Sequence, residues 1–223
     1  KSGQAASAVM SAFEGAKLRF FGALLSGLKA PTLIAAVRDD LVQGRSAVVQ
    51  IVSTHEAVME RRLAEIPPEE WNNLAVDLTP KDQALDYLMG AFPVTAMESI
   101  EDEDGNVTLR PLIVYGRPVL SQEALRLREA LVTELACLPA VPGVLDALIE
   151  AFGPDQVAEI TGRSRRIVTR DGRRVVERRS ASAARAETDA FMTGRKRILV
   201  FSDAGGTGRS YHADLACANT QRR

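Results

Sequence analysis

Residues 197–214 read RILVFSDAGGTGRSYHAD, and this stretch decides the fold. Its opening residues, 197–201, form a short apolar run of the kind that makes a strand covered on both faces of a parallel sheet. The strand runs into Ser202-Asp203-Ala204-Gly205-Gly206-Thr207-Gly208-Arg209-Ser210, a loop with three glycines and only small residues between them. Backbone without side chains can approach a phosphate closely, and successive amides in such a loop form an anion-binding concavity. The loop lacks the Gly-Lys-Ser/Thr of a Walker A sequence, and its glycine spacing differs from the dinucleotide fingerprint. The same spacing also fits a tight strand-to-helix turn with no ligand, so the loop alone leaves two readings open.

Working outward, residues 47–52 (AVVQIV) are a second β-branched run, bounded by Gly44 and by Ser53-Thr54. Its continuity predicts another strand covered on both faces. In open α/β sheets ligands sit at the carboxyl ends of strands, which makes Ser53, Thr54 and Glu56 candidates. Equally, Ser53 or Thr54 caps a helix over 56–63. A third strand, 156–160, ends in Thr161-Gly162-Arg163. Helices are predicted at 144–152 and 184–192, so strands and helices alternate through both ends of the chain. The sequence therefore predicts an α/β fold with one sheet.

The first helix is predicted over 16–28, with Leu18, Phe21, Leu24, Leu25 and Leu28 as its core stripe. Pro31 separates it from a second helix over 32–43. The middle breaks the alternation. Thr79-Pro80 opens a helix to about residue 92, Asp104-Gly105-Asn106 marks a hairpin, and Ser121 caps a helix presenting Leu125, Leu131, Leu135 and Leu138 on one face. We read 1–66 as N-terminal helices and first strand, 67–142 as an inserted, mainly helical subdomain containing a hairpin, and 143–223 as the remainder of the lobe.

Of the 223 residues, 46% are hydrophobic, enough for a sizeable core, and the net charge of −1 excludes a binder whose whole surface is basic. Two cysteines and two histidines make no metal-ligand spacing. The most apolar N-terminal stretch, 20–28, is shorter than the ~20 residues a membrane helix needs, and no signal-peptide pattern precedes it, so the expected setting is cytoplasmic with no membrane partner. Residues 163–185 are rich in arginine. They read either as a phosphate-neutralising surface or as a solvated, poorly ordered hairpin balanced by the acidic 98–104.

The order of strand plus STHEA, then FGPDQVAEITGR, then ETDAFMTGRKRILVFSDAGGTGRSYHAD, then NTQRR, resembles the C-terminal helicase lobe of the strawberry notch family, within superfamily 2. The likeness is close over 151–223, looser over 16–56 and poor in between. It implies a RecA-like parallel-sheet lobe. In that lobe 48–54 resembles helicase motif IV, 160–163 motif IVa and 203–214 motif V. It further implies that Thr207 and Gly208 contact a nucleic-acid backbone, joined by Arg209, Thr54, Glu56, Thr161, Gly162 and Arg163. Asp203, Gly205, Gly206 and Asp214 face the nucleotide or fix the loop. His55 stands where the family tends to have glycine, and Arg209 where an aliphatic residue is common.

The implied partners are DNA or RNA backbone and an N-terminal RecA-like lobe of the same protein. The implied cofactors are ATP and Mg2+ in the intact protein, with none bound by this piece. The chain reads as an excised fragment: no Walker A or Walker B sequence is present, and the arginine-bearing motif VI of the family would lie just past Arg223. No catalytic residue is assigned, and ATP hydrolysis by this piece alone is not expected. The rival reading is a non-catalytic interaction or scaffold module derived from a helicase lobe.

Overall fold

The computed structural model of the chain describes residues 2–54, 56–74, 79–101, 105–180, 182–214 and 219–223. His55 and Asp104, named above, and Cys217, one of the two cysteines, lie outside the described residues. In chain order come helix α1 (Ser2–Val42), strand β1 (Ala47–Ile51), helix α2 (Glu56–Ala64), a 3-10 turn (Pro68–Asn72), α3 (Pro80–Ala91), β2 (Met97–Glu101), β3 (Val107–Pro111), β4 (Ile113–Val114), β5 (Arg117–Pro118) and α4 (Gln122–Cys137). There follow α5 (Val144–Phe152), β6 (Val157–Ile160), β7 (Arg165–Arg170), β8 (Arg173–Arg178), α6 (Ala183–Met192), β9 (Ile198–Ser202) and the single turn α7 (Asp203–Gly206). The chain divides into two compact units, one of Leu18–Pro80 with Ala140–Arg223 and one of Lys1–Lys17 with Lys81–Pro139.

The first unit is the α/β lobe. Its sheet has the order β1-β9-β6, all parallel, with Ala47 and Val157 both level with Ile198 across the ladder. Side chains alternate across the strands. Val157, Ile198 and Val200 pack with Ala47, Ile51, α5 and α1. Ala158, Ile160 and Leu199 pack with Phe191 of α6 and with Tyr211. Only the middle and β6 are covered on both faces. On the edge strand β1, Val48 is 40% exposed and Gln50 is exposed, so the expectation of two-sided cover fails there.

The helix α1 differs from the sequence reading in two ways. It is one helix, and Pro31 lies inside it. An interior proline costs about 3 kcal/mol because it removes a hydrogen bond and its ring crowds the carbonyl four residues back. Here that residue is Gly27, and beyond the proline Leu33, Ile34 and Val37 are held against the sheet core. The second difference is which face is buried. Ala23, Ala30 and Val37 turn inward, while Leu18, Phe21, Leu25 and Leu28 are 50–70% exposed. The stretch Phe13–Val42 is long and apolar enough to cross a membrane by length and composition, which overturns the statement that its apolar stretch is too short. A helix that packs one face on a sheet passes the same test.

The hairpin β7–β8 turns at Asp171 (φ 51°) and Gly172 (φ 75°), the positive-φ pair of a two-residue hairpin loop. A small separate core of Met59, Leu63 and Leu74, with Trp71, Ile167 and Val176 against it, joins α2 and the 3-10 turn to this hairpin. The backbone of Leu74 donates to the Arg174 carbonyl at 2.8 Å.

In the second unit, Ser121 caps α4 as expected, accepting from the Ala124 amide at 3.2 Å. β2 and β3 form the expected hairpin. Among the described residues none of this unit is buried: on the α4 face Leu125 and Leu135 are partly buried, and Leu131 and Leu138 are 41% and 49% exposed. Leu88, Leu131, Leu135 and Leu138, with Glu134, line an open apolar groove of about 290 Å³.

Two glycines of α1 test the packing directly. A Cβ at Gly27 would lie 2.6 Å from both the Pro142 carbonyl oxygen and Val141 Cγ1, whereas one at Gly22 meets nothing within 4 Å. Gly27→Ala is expected to destabilise the chain by about 1–3 kcal/mol through overpacking. Gly22→Ala is expected to stabilise it by up to about 1 kcal/mol through helix propensity. Urea melts of the two variants check this.

Candidate nucleic-acid and nucleotide interface

Because the three strands are parallel and in register, Ile51, Ile160 and Ser202 end at one edge of the sheet. The segments following them are the three that the sequence singled out. Contacts tie them together. Gln50 Nε2 donates to Asp203 Oδ1 at 2.7 Å, and Glu56 Oε1 accepts from the Ser164 amide at 2.8 Å. Glu60 accepts from the Ser164 hydroxyl at 3.2 Å and pairs with Arg165. Thr54 is half-buried.

The glycines of the loop have separate tasks. A Cβ at Gly205 would lie 2.2 Å from the Ile160 carbonyl oxygen, and one at Gly206 would lie 2.7 Å from the Phe201 ring. These two glycines let the loop sit against β6 and β9. Gly208 has φ +70° with open space around it, so its glycine serves backbone conformation rather than packing. Tyr211 Oη donates to the Gly205 carbonyl at 2.7 Å, and Thr207 Oγ1 to the Asp203 carbonyl at 3.0 Å. With the inner side of the loop so fixed, Thr207, Gly208, Arg209 and Ser210 are left exposed. The Arg209 guanidinium comes within 3.5 Å of Thr188 Oγ1 on α6.

Asp203 and Asp214 are both exposed. Asp203 is held by Gln50 at the end of β9, while Asp214 Oδ2 lies 3.3 Å from His212 Nε2. His212 Nδ1 in turn is 2.5 Å from Ser210 Oγ. The alternation Ser210, His212, Asp214 was the available signal. The end of the chain braces the same loop: Arg223 donates to the carbonyls of Tyr211 and His212 and stacks its guanidinium 4.8 Å from the Phe191 ring. Ser46 ties this segment back to the start of β1, its amide donating to the Arg222 carbonyl at 2.8 Å.

Arg163 turns inward. Its side chain is 1% exposed, with Nε 2.9 Å from Glu159 Oε1, Nη2 3.2 Å from Glu159 Oε2 and Nη1 2.7 Å from Asp146 Oδ1. Arg179 adds hydrogen bonds to Glu159 Oε1 (3.0 Å) and to the carbonyls of Glu159 (2.6 Å) and Arg163 (2.9 Å). Thr161 Oγ1 donates to Glu159 Oε1 at 2.6 Å. Burial would raise the Glu159 carboxyl, but the Arg163 and Arg179 charges and the hydrogen bonds from Arg163 and Thr161 outweigh it and hold the group below its ordinary range. Burial would likewise lower Arg163, and Asp146 and Glu159 reverse it, leaving it raised. Arg179 is lowered, chiefly by burial.

The arginine-rich stretch is thus largely neutralised from within. Arg165 pairs with Glu60 and lies 5.1 Å over Trp71, while Arg166 and Arg170 share Glu177. The stretch is an ordered hairpin balanced by Glu159, Asp146, Glu60 and Glu177. Of the acidic 98–104, Glu98 pairs with Arg110, and 102–104 lie outside the described residues. Arg173, Arg178 and Arg185 remain at the surface. Gln50, Glu159, Arg179 and Tyr211 are the residues that sequence reasoning missed. Gln50 and Glu159 each had a signal, being the lone polar residues of AVVQIV and VAEI.

Comparison with known proteins finds a likeness over the C-terminal part of this lobe. The family described as the C-terminal domain on Strawberry notch homologue matches residues 143–223. Residues 143–223 match the strawberry notch C-terminal helicase domain. The strawberry notch protein of Drosophila melanogaster is 36% identical over 121 residues, which is 49% of this chain and 7% of that protein. The mouse strawberry notch homolog 2 is 34% identical over 116 residues, 48% of this chain and 9% of its own length. The human strawberry notch homolog 1 is 39% identical over 90 residues, 37% of this chain and 6% of its own. The chain therefore spans under a tenth of each of these relatives. No solved structure matches it.

The Glu159 cluster makes a pH prediction with a definite sign. A carboxyl whose folded pKa is depressed contributes stability that is present above the ordinary value of 4.5 and is lost as pH falls through the lowered folded value. Glu159→Gln is expected to cost about 3–5 kcal/mol at neutral pH, because it strands buried arginine charge. The variant should also lose part of the acid dependence below 4.5. Urea melts of both proteins across that range measure it.

Proposed function

We propose that this lobe couples ATP hydrolysis, completed in the intact protein by an N-terminal RecA-like lobe, to the backbone of a DNA or RNA strand. The observation that carries the reading is the convergence of the three post-strand segments on one sheet edge, with 207–210 exposed there. Thr207, the open Gly208 backbone and Arg209 are the phosphodiester contacts. Asp203, set by Gln50, is on the nucleotide side, and Gly205 and Gly206 act by letting the loop seat on β6 and β9 rather than by touching nucleotide.

Arg163 serves by ordering the loop after β6 rather than by meeting phosphate, since its donors are spent on Glu159 and Asp146. Glu56, bound to the Ser164 amide, has the same supporting part, and Thr161 and Gly162 offer the accessible surface of that loop. Among the described residues no three His, Cys, Asp or Glu side chains gather into a metal cage. The acidic metal ligand and the phosphate-cradling lysine that phosphoryl transfer requires belong to the other lobe. The chain alone does not hydrolyse ATP.

One observation favours a second role for the inserted unit. Its described residues bury no core, and the apolar groove beside Leu131 and Leu138 lies open, which fits a surface for another protein.

Single-stranded oligonucleotide affinity, measured across salt concentration, tests the main reading. Affinity should fall steeply with salt, with a log–log slope of about −0.7 per phosphate neutralised. Arg209→Glu should weaken binding and flatten that slope by about one contact. No binding at low salt, or ATP turnover by this chain that a Gly208 substitution abolishes, would refute it.

A further inference from the structure

The exposed loop 207–210 offers a nucleic-acid strand fewer hydrogens than its hydroxyl groups suggest. Thr207 Oγ1 donates to the Asp203 carbonyl at 3.0 Å, so its hydrogen is spent inside the loop. Ser210 is held differently. Its Oγ lies 2.5 Å from His212 Nδ1, and the tautomer of the ring decides which atom donates. Asp214 sets that tautomer. Its Oδ2 stands 3.3 Å from His212 Nε2, and a carboxylate only accepts, so the hydrogen of the neutral imidazole belongs on Nε2. Nδ1 is then an acceptor, and the Ser210 hydroxyl donates to it. What Ser210 turns to solvent is an oxygen whose hydrogen is already committed.

The backbone keeps this arrangement in place. Ser210, His212 and Asp214 alternate along a segment with neither helix nor strand, and all three are exposed. Tyr211 between them is buried and bonds the Gly205 carbonyl. Arg223 donates to the carbonyls of Tyr211 and His212. An acceptor therefore stands beside Arg209.

A phosphodiester carries acceptors alone, so it is met by Arg209 and by the open backbone at Gly208, and it gains nothing from Ser210. Ser210 needs a donor. The sugar–phosphate backbone of DNA has none. RNA has one beside every phosphate, the ribose 2′-hydroxyl, which both donates and accepts. Base donors sit on the base edges and would tie binding to sequence.

We propose that Ser210, its hydroxyl hydrogen held inward by the His212–Asp214 pair, accepts a hydrogen bond from a ribose 2′-hydroxyl, which makes RNA the preferred strand of this lobe. The proposal rests on the backbone-binding reading above and adds the sugar to it. Ser210 is the contact, and His212 and Asp214 are positioning residues.

The test titrates the full chain at low salt and about pH 8, above the ordinary imidazole range, with single strands of one sequence made as RNA, as DNA and as 2′-fluoro RNA. The fluoro strand keeps an RNA-like sugar pucker and has no sugar donor. One net hydrogen bond corresponds to about a 2- to 10-fold change in affinity, and RNA should bind tighter than either other strand by about that factor. Ser210→Ala should bring RNA down to the DNA value. His212→Phe releases the Ser210 hydrogen to turn outward toward phosphate, so the affinities for RNA and DNA should converge. The proposal is overturned if the wild type binds RNA no better than DNA, if 2′-fluoro RNA shares the preference, or if the preference survives Ser210→Ala. Those outcomes leave phosphate binding standing, whereas no binding of any strand refutes the reading beneath it and the proposal with it.

Discussion

Glu159 sits in the middle of β6 with no exposed surface, its carboxylate gripped by Arg163, Arg179 and Thr161. A carboxylate in that position is costly unless every lone pair finds a donor. The donors come from chain that follows β6, so satisfying one charge fixes the loop 161–164 and, through Arg179, both ends of the β7–β8 hairpin. Asp146 brings the start of α5 into the same cluster. The ion cluster therefore sets the shape of the sheet edge on which the candidate site stands.

The neighbouring residue on β6 then controls the second half of the site. The Ile160 carbonyl is the surface on which Gly205 rests, close enough that no side chain fits between them. Phe201 does the same for Gly206. Together these contacts and the Tyr211 hydrogen bond to Gly205 turn 207–210 outward. A loop rich in glycine thus acquires a defined exposed side. The glycines that look most suited to cradling a phosphate are used for seating the loop, and the one left open is Gly208.

Much of the lobe was legible in the sequence. The runs 47–52, 156–160 and 197–201 are too short and too β-branched for helices, and their punctuation by Gly and Ser/Thr placed the strands, which the structure pairs in parallel. The family likeness of the segments after them located the sheet edge. What misled was periodicity in α1. An apolar stripe identifies a face that avoids water but not the surface that covers it, and in α1 close packing of Ala23, Gly27 and Ala30 won over the larger leucines. Arginines misled in the same way. Composition counts charges without saying which carboxylate meets each, and Glu60, Glu159 and Glu177 lie far from several of their partners in sequence or across a turn.

The account stands on the claim that the Glu159 cluster, rather than the apolar core alone, holds the hairpin and the loop edge in place. Native-state hydrogen exchange of wild type and Glu159→Gln tests this most directly. The account predicts that amides of 161–178 and of 205–211 lose protection together in the variant, while β9 and α5 keep theirs relative to global unfolding. Protection lost evenly across the whole lobe, or a hairpin that loosens while 205–211 is unchanged, would contradict it.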